Sequence, residues 1–127
     1  MQHEELTKKI ISCAFKVHNT LGAGFLEKVY ENALKIELKK EGFNVEQQYS
    51  IPVFYEKEQV GDYYADLLID GIIIIELKAV ENLAPIHETQ LVNYLAGTGL
   101  DIGLLINFRS SVEVKRKYRI YKKSCKS

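Results

Sequence analysis

The chain has 127 residues, of which 46% are hydrophobic and 27% charged, a composition that excludes a disordered chain and predicts one globular domain with a real core. Its longest apolar run, Ile72 to Ile75, is too short to span a bilayer. The start Met1-Gln2-His3-Glu4-Glu5 lacks the basic and apolar stretch of a secretory signal, so the expected compartment is the cytoplasm. The formal charge is zero but uneven: Arg109 to Ser127 carries +7, with eight basic residues against Glu113, and positions 1 to 108 carry −7. Such a basic tail, with Lys115, Arg116, Lys117 and Arg119 at its centre, suits nucleic-acid phosphates, although a solvated strand end explains it equally well.

In chain order, Leu6, Ile10, Ala14, Val17 and Leu21 recur at three- and four-residue steps, predicting a helix over Glu4 to Asn19. After the Gly22-Ala23-Gly24 break, Leu26, Val29, Tyr30, Ala33 and Leu34 repeat the pattern, and Gly42 offers a stop. The pattern then turns β-rich over Val45 to Phe54, Gln59 to Ile69 and Ile72 to Val80. A third helix follows Pro85 and stops at Gly97-Thr98-Gly99. Gly103 to Phe108 reads as a buried strand, with a final strand near Tyr118, so the order is ααβββαβ. Cys13 and Cys125 lack zinc-site spacing, and neither His18 nor His87 has a second ligand close in sequence.

Three charged residues stand inside strands that otherwise read as core: Asp66, Glu76 and Lys78. Burying them without a partner or ligand is costly. Glu76 and Lys78 share a strand face by alternation, whereas the side taken by Asp66 depends on the hairpin at Asp70-Gly71. A two-residue loop turns the carboxylates to opposite faces. A three-residue loop, Ile69-Asp70-Gly71 with Gly71 at positive φ, pairs Asp66 with Ile74 and makes Asp66 and Glu76 diagonal same-face neighbours about 7 Å apart. The bulged loop is the expectation adopted. Two such carboxylates suit Mg²⁺ or Mn²⁺, with Lys78 placed to assist a water or stabilise developing negative charge. A buried ion-pair network among the three residues is the plainer alternative.

Asp66, followed after nine residues by Glu76-Leu77-Lys78, resembles the D-x(n)-E-x-K core of the PD-(D/E)XK nucleases. Gln90-Leu91-Val92-Asn93-Tyr94 is similar to the Q-x-x-x-Y element of their RecB-like branch. Gly24-Phe25-Leu26-Glu27-Lys28-Val29-Tyr30 resembles the pattern that names the GxxExxY family, as does Leu104 to Phe108. The resemblance implies a restriction-endonuclease-like α/β fold, a central mixed sheet flanked by helices. It further implies a metal held by Asp66, Glu76 and the Leu77 carbonyl, and Glu27 as a third or water-mediated ligand. Gln90 is then expected to orient substrate or water, and Tyr94 to contact nucleic acid or brace Gln90. The plainer readings are a surface position for Glu27, a satisfied polar group at Gln90 and core aromatics at Tyr30 and Tyr94. The expected activity is Mg²⁺-dependent phosphodiester hydrolysis, in DNA first, aided by a homodimer or partner protein. A non-catalytic binding or interaction module with this fold, or an RNA-directed nuclease, are the alternatives.

Overall fold

A computed structural model describes residues 3–119. Helices α1 (Glu4–Leu21) and α2 (Glu27–Lys40) precede strands β1 (Val45–Tyr55), β2 (Glu58–Ile69) and β3 (Ile73–Lys78). Helix α3 (Pro85–Thr98) then leads to β4 (Ile102–Phe108) and β5 (Val112–Tyr118). The strands form one mixed sheet in the order β1-β2-β3-β4-β5. Only β3 and β4 are parallel, joined by the α3 crossover, and the other pairs are antiparallel. This α/β arrangement is the one expected, although α1 continues two residues past Asn19. Among the described residues, no helix is long and apolar enough to cross a membrane.

The sheet is covered on both faces, which is why β3 and β4 are almost wholly apolar. On one face, Ile10, Ala14 and Val17 of α1 and Tyr30, Leu34 and Leu38 of α2 pack on Leu67, Ile73, Ile75, Leu77 and alternate residues of β4. Leu91, Tyr94 and Leu95 of α3 close the other face over Ile51, Ala65, Leu68, Ile74 and Leu105. There α3 approaches so near that a Cβ on Gly103 would lie 2.8 Å from Leu91 Cδ1. Tyr30 belongs to the core as expected: its ring stacks on Phe108 at 4.6 Å. Its hydroxyl donates to the Gly22 carbonyl at 2.6 Å and accepts from Phe25 N–H at 3.2 Å. Tyr30 thereby fixes the turn that delivers the start of α2.

The hairpin corrects the predicted register by one residue on each strand. The loop is three residues long but comprises Asp70, Gly71 and Ile72, since Ile69 still pairs with Ile73 and Leu67 with Ile75. Asp70 is held as a loop residue because its N–H donates to Asn44 O and its Oδ1 accepts Asn44 N–H, both at 2.8 Å. Asp70 and Gly71 both take positive φ, 53° and 66°, and Ile72 N–H closes the turn onto Ile69 O at 2.9 Å. Asp66 therefore comes opposite Glu76 rather than Ile74.

Candidate active site

The two carboxylates sit where the sheet splits. The β2–β3 ladder ends at Leu67 and Ile75, and beyond it each side chain takes a backbone donor of the opposite strand. Asp66 N–H donates to Glu76 Oε1 and Leu77 N–H donates to Asp66 Oδ2, each at 2.8 Å. Side chains thus fill the gap a regular ladder would close.

Strand β1 makes the matching distortion. Gln48 has φ 55°, a left-handed conformation that costs a non-glycine residue about 1 kcal/mol or more and recurs at functional sites. At this level the faces exchange. Val45, Leu67 and Ile69 pack on the α1–α2 layer, whereas Tyr49, Ile51 and Ala65 pack toward α3. The pairing continues without a shift through Gln47↔Leu67 and Tyr49↔Ala65. The inversion turns the Gln48 amide toward the α2-side cleft, where its Nε2 donates to Asp66 Oδ1 at 3.3 Å and to Glu31 Oε2 at 3.0 Å.

Glu31 is a residue the sequence reading missed. It is buried, and besides Gln48 it accepts from Gln47 Nε2 at 2.6 Å and pairs with Lys28 Nζ at 3.1 Å. A signal existed: Glu31 lies three and seven residues before Leu34 and Leu38, on the edge of the buried stripe of α2. Asn107 was also missed as a brace. Its buried amide accepts Val80 N–H at 3.0 Å and donates to Val80 O at 2.8 Å, fixing the chain just after Lys78.

Charge crowding shapes the site. Burial, then the negative charge of Asp66, pushes the Glu76 carboxyl up to about 8, with Lys78 acting in the opposite sense. Burial also raises Asp66, helped by Glu31 and Glu27, while the Leu77 N–H and Gln48 amide pull it down. Tyr94, on the α3 side of the sheet, is lifted to about 12 by burial and then by the negative charges of Glu76 and Asp66.

The other predicted residues fall around this centre unequally. Glu27, exposed at the first position of α2, shares a cleft of about 410 Å³ with Glu31, Gln48 and Asp66. Lys78 follows Ile74 and Glu76 on the α3-facing side of β3. Gln90 does not line the Asp66 cleft; it lies one turn before Tyr94 in a groove on the α3 side. The basic residues do not form one patch, because strand alternation divides them. Lys117 and Lys115 pair with Glu88 of α3. Arg116 points to the opposite face, with a buried Nε that has no hydrogen-bond partner among the described residues. Arg119 binds Asp101 at 2.8 Å. Lys122, Lys123, Cys125 and Lys126 lie outside the described residues.

The pair can do what isolated buried acids cannot: present oxygen donors to a hard cation. Among the described residues no group of three or more His, Cys, Asp or Glu side chains stands close enough to hold a metal, so these residues form no closed cage. The donor chemistry still fits Mg²⁺ or Mn²⁺, which accept few protein oxygens and keep sites for water and phosphate. The excess of carboxylate over cationic charge favours such an ion.

Comparison with known proteins agrees with this geometry. No curated protein matches the chain. The crystal structure of SSO0001 aligns with a TM-score of 0.60 at 20% identity over 76% of the chain. The alignment spans about half, 52%, of SSO0001. An alkaline exonuclease (LHK-Exo) from Laribacter hongkongensis aligns with a TM-score of 0.55 at 12% identity, covering 94% of this chain and 72% of that one. At these identities the likeness is one of fold. The profile of the PD-(D/E)XK nuclease superfamily, whose members typically use divalent metals on nucleic-acid substrates, matches residues 4–119. By that match, spanning both carboxylates and all the described strands, the chain belongs to the PD-(D/E)XK nuclease superfamily.

Proposed function

We propose that the chain is a Mg²⁺- or Mn²⁺-dependent nuclease that hydrolyses phosphodiester bonds in DNA as one cytoplasmic domain of the GxxExxY type, within the RecB-like branch. The observation that carries this reading is the carboxylate pair at the strand fork. Two acids stand among the buried apolar residues Ala65, Leu67, Ile75 and Leu77, each bound to a backbone donor of the other strand. A structure gains little from such burial unless the charges have work to do. Cys13, a free buried thiol, is in keeping with a reducing compartment.

Asp66, Glu76 and the Leu77 carbonyl would hold the ion, which when bound polarises the phosphate and an attacking water. Glu76 and Asp66 are kept in place by the backbone bonds they accept, so little reorganisation is needed on binding. Lys78 stands on the Glu76 side, positioned to steady the water and the charge that builds on phosphate oxygens. Glu27 at the cleft rim acts at longer range, as a water-mediated ligand. Gln90 and Tyr94 act from the α3 side on the nucleic acid. Of the basic strand, Lys115 and Arg116 are the better phosphate contacts, since Lys117 and Arg119 are held in short ion pairs. Selection among sequences falls to a second copy or a partner protein.

The test is cleavage of labelled single- and double-stranded DNA and RNA with Mg²⁺ or Mn²⁺. Asp66→Ala and Lys78→Ala are each expected to lose roughly 100- to 1,000-fold in rate with folding intact. Native-like cleavage by both variants contradicts the assignment, and exclusive cleavage of RNA moves the substrate class.

A further inference from the structure

Beyond the fork, β2 residues 58–65 pair only with β1, so the hairpin projects past β3 as a two-stranded ribbon. Between this ribbon and α3 runs a groove of about 850 Å³, within the range of ligand-binding sites. Ile51, Phe54 and Tyr63 line it from the ribbon, and Gln90, Asn93 and Tyr94 line it from α3. Phe54 is 59% exposed and Tyr63 49%, large apolar surfaces left open to water. The rings of Tyr63 and Tyr94 stand 6.0 Å apart with planes tilted by 44°. Among the described residues no Asp, Glu, Lys or Arg lines the groove. The cleft on the α2 side is the opposite, with Glu27, Glu31, Asp66 and Lys28 in its walls.

We propose that the α3–ribbon groove is a binding site for unpaired nucleotides of a nucleic-acid strand, leading that strand to the carboxylate pair. The proposal deepens the nuclease reading and rests on it for the path, because the groove ends on Tyr94, on the same side of the sheet as Glu76. The lining decides the occupant. A duplex presents phosphates outward and keeps its base faces stacked, so its binding is dominated by Lys and Arg, which this groove lacks. An unpaired strand exposes a π-face and hydrogen-bonding edges. Aromatic side chains and neutral amides recognise those features. Gln90 and Asn93, three residues apart on one helix face, each offer both donors and an acceptor at the groove wall. The phosphates are left to the end of the groove beyond Tyr94, where Glu76 and Lys78 lie on the same face of β3.

The experiment reads anisotropy of fluorescein-labelled oligothymidylate, oligouridylate and a blunt duplex in EDTA, so that binding is measured without turnover. Hydrolysis of bis(p-nitrophenyl) phosphate with Mg²⁺ or Mn²⁺, which needs no base contact, reports the nuclease reading separately. The native protein is expected to bind single strands more tightly than the duplex, with a shallow salt dependence. Phe54→Ala and Tyr63→Ala should each weaken single-strand binding by roughly 5- to 150-fold. Tyr55→Ala, 67% exposed on the same ribbon but outside the groove, should bind as the native protein does. The relative affinity for the two oligonucleotides decides between DNA and RNA. Duplex binding as tight as single-strand binding, or native-like binding by both groove variants, overturns the proposal. So does equal damage from Tyr55→Ala. Diester hydrolysis without oligonucleotide binding overturns the groove and leaves the nuclease; single-strand binding without diester hydrolysis does the reverse.

Discussion

The two halves of the sheet obey different rules. In the parallel pair β3–β4, every position from Ile73 to Lys78 finds its partner in register from Ile102 to Asn107, and Ile73 to Leu77 are all buried. In the ribbon β1–β2, the faces exchange at Gln48 and Asp66, the register slips between Val53 and Phe54, and Phe54, Tyr55, Val60, Tyr63 and Tyr64 stand exposed. Polar chemistry gathers at the seam between them, not in the regular half. A sheet with both faces covered stabilises the fold but has no opening for a ligand. The departing ribbon supplies that opening and leaves two backbone donors that only side-chain carboxylates satisfy.

That contrast is sharpest in stability. Ile74→Ala, at the centre of the regular half, is expected to cost about 2–5 kcal/mol in urea denaturation. Val60→Ala, at the bulge of the ribbon, should stay within about 0.5 kcal/mol of native. Similar losses at the two positions would mean the ribbon is as much core as β3.

The seam should also respond to pH. The Glu76 carboxyl binds its proton more tightly in the folded protein, at about 8, than at the ordinary value of 4.5. Between these values the native state holds more protons than the unfolded chain, so raising pH removes stability over that window. In EDTA the melting temperature of the native protein should therefore fall by roughly 5 °C or more from about pH 5 to about pH 8. Asp66, raised as well, adds in the same direction. Glu76→Gln should flatten the profile and melt higher than native at the alkaline end. A native melting temperature that climbs across the window would contradict the crowding of charge at the fork.

The smallest effect probes the kink itself. Gln48→Gly accepts the positive φ without strain but removes the amide from Asp66 and Glu31, whereas Gln48→Ala removes the amide and keeps the strain. Both should lose about tenfold in cleavage rate, roughly the worth of one hydrogen bond to a charged group. The glycine variant should be the more stable of the two by about 1 kcal/mol. Full activity in either would remove Gln48 from the positioning of Asp66.

Much of this was legible in the residues. Helical and strand periods gave the ααβββαβ order because the buried stripes, such as Ile10, Ala14 and Val17, are uninterrupted. The Asp66, Glu76 and Lys78 charges stood out because their neighbours are apolar. The exchange of faces at Gln48 was not legible, since positive φ is ordinarily signalled by glycine and the strain here is held by contacts distant in sequence. The one-residue error at the hairpin has the same origin: the Asn44–Asp70 bonds that set the loop join positions 26 residues apart. Glu31 was not singled out, because the Gln47 and Gln48 amides that bind it come from β1, distant in sequence. The basic strand was legible only as a run of charge. Its charges are adjacent in sequence, but a strand sends Lys115 and Lys117 to one side and Arg116 to the other.

The central claim is that Asp66 and Glu76 together hold one divalent ion. Calorimetric titration of Mn²⁺ into the native protein, Asp66→Asn and Glu76→Gln tests it without any substrate. One saturable site in the native protein, lost or weakened at least about tenfold in each variant, is the result predicted. A site of unchanged affinity and stoichiometry in both variants would place the ion elsewhere and leave the fork a structural pair.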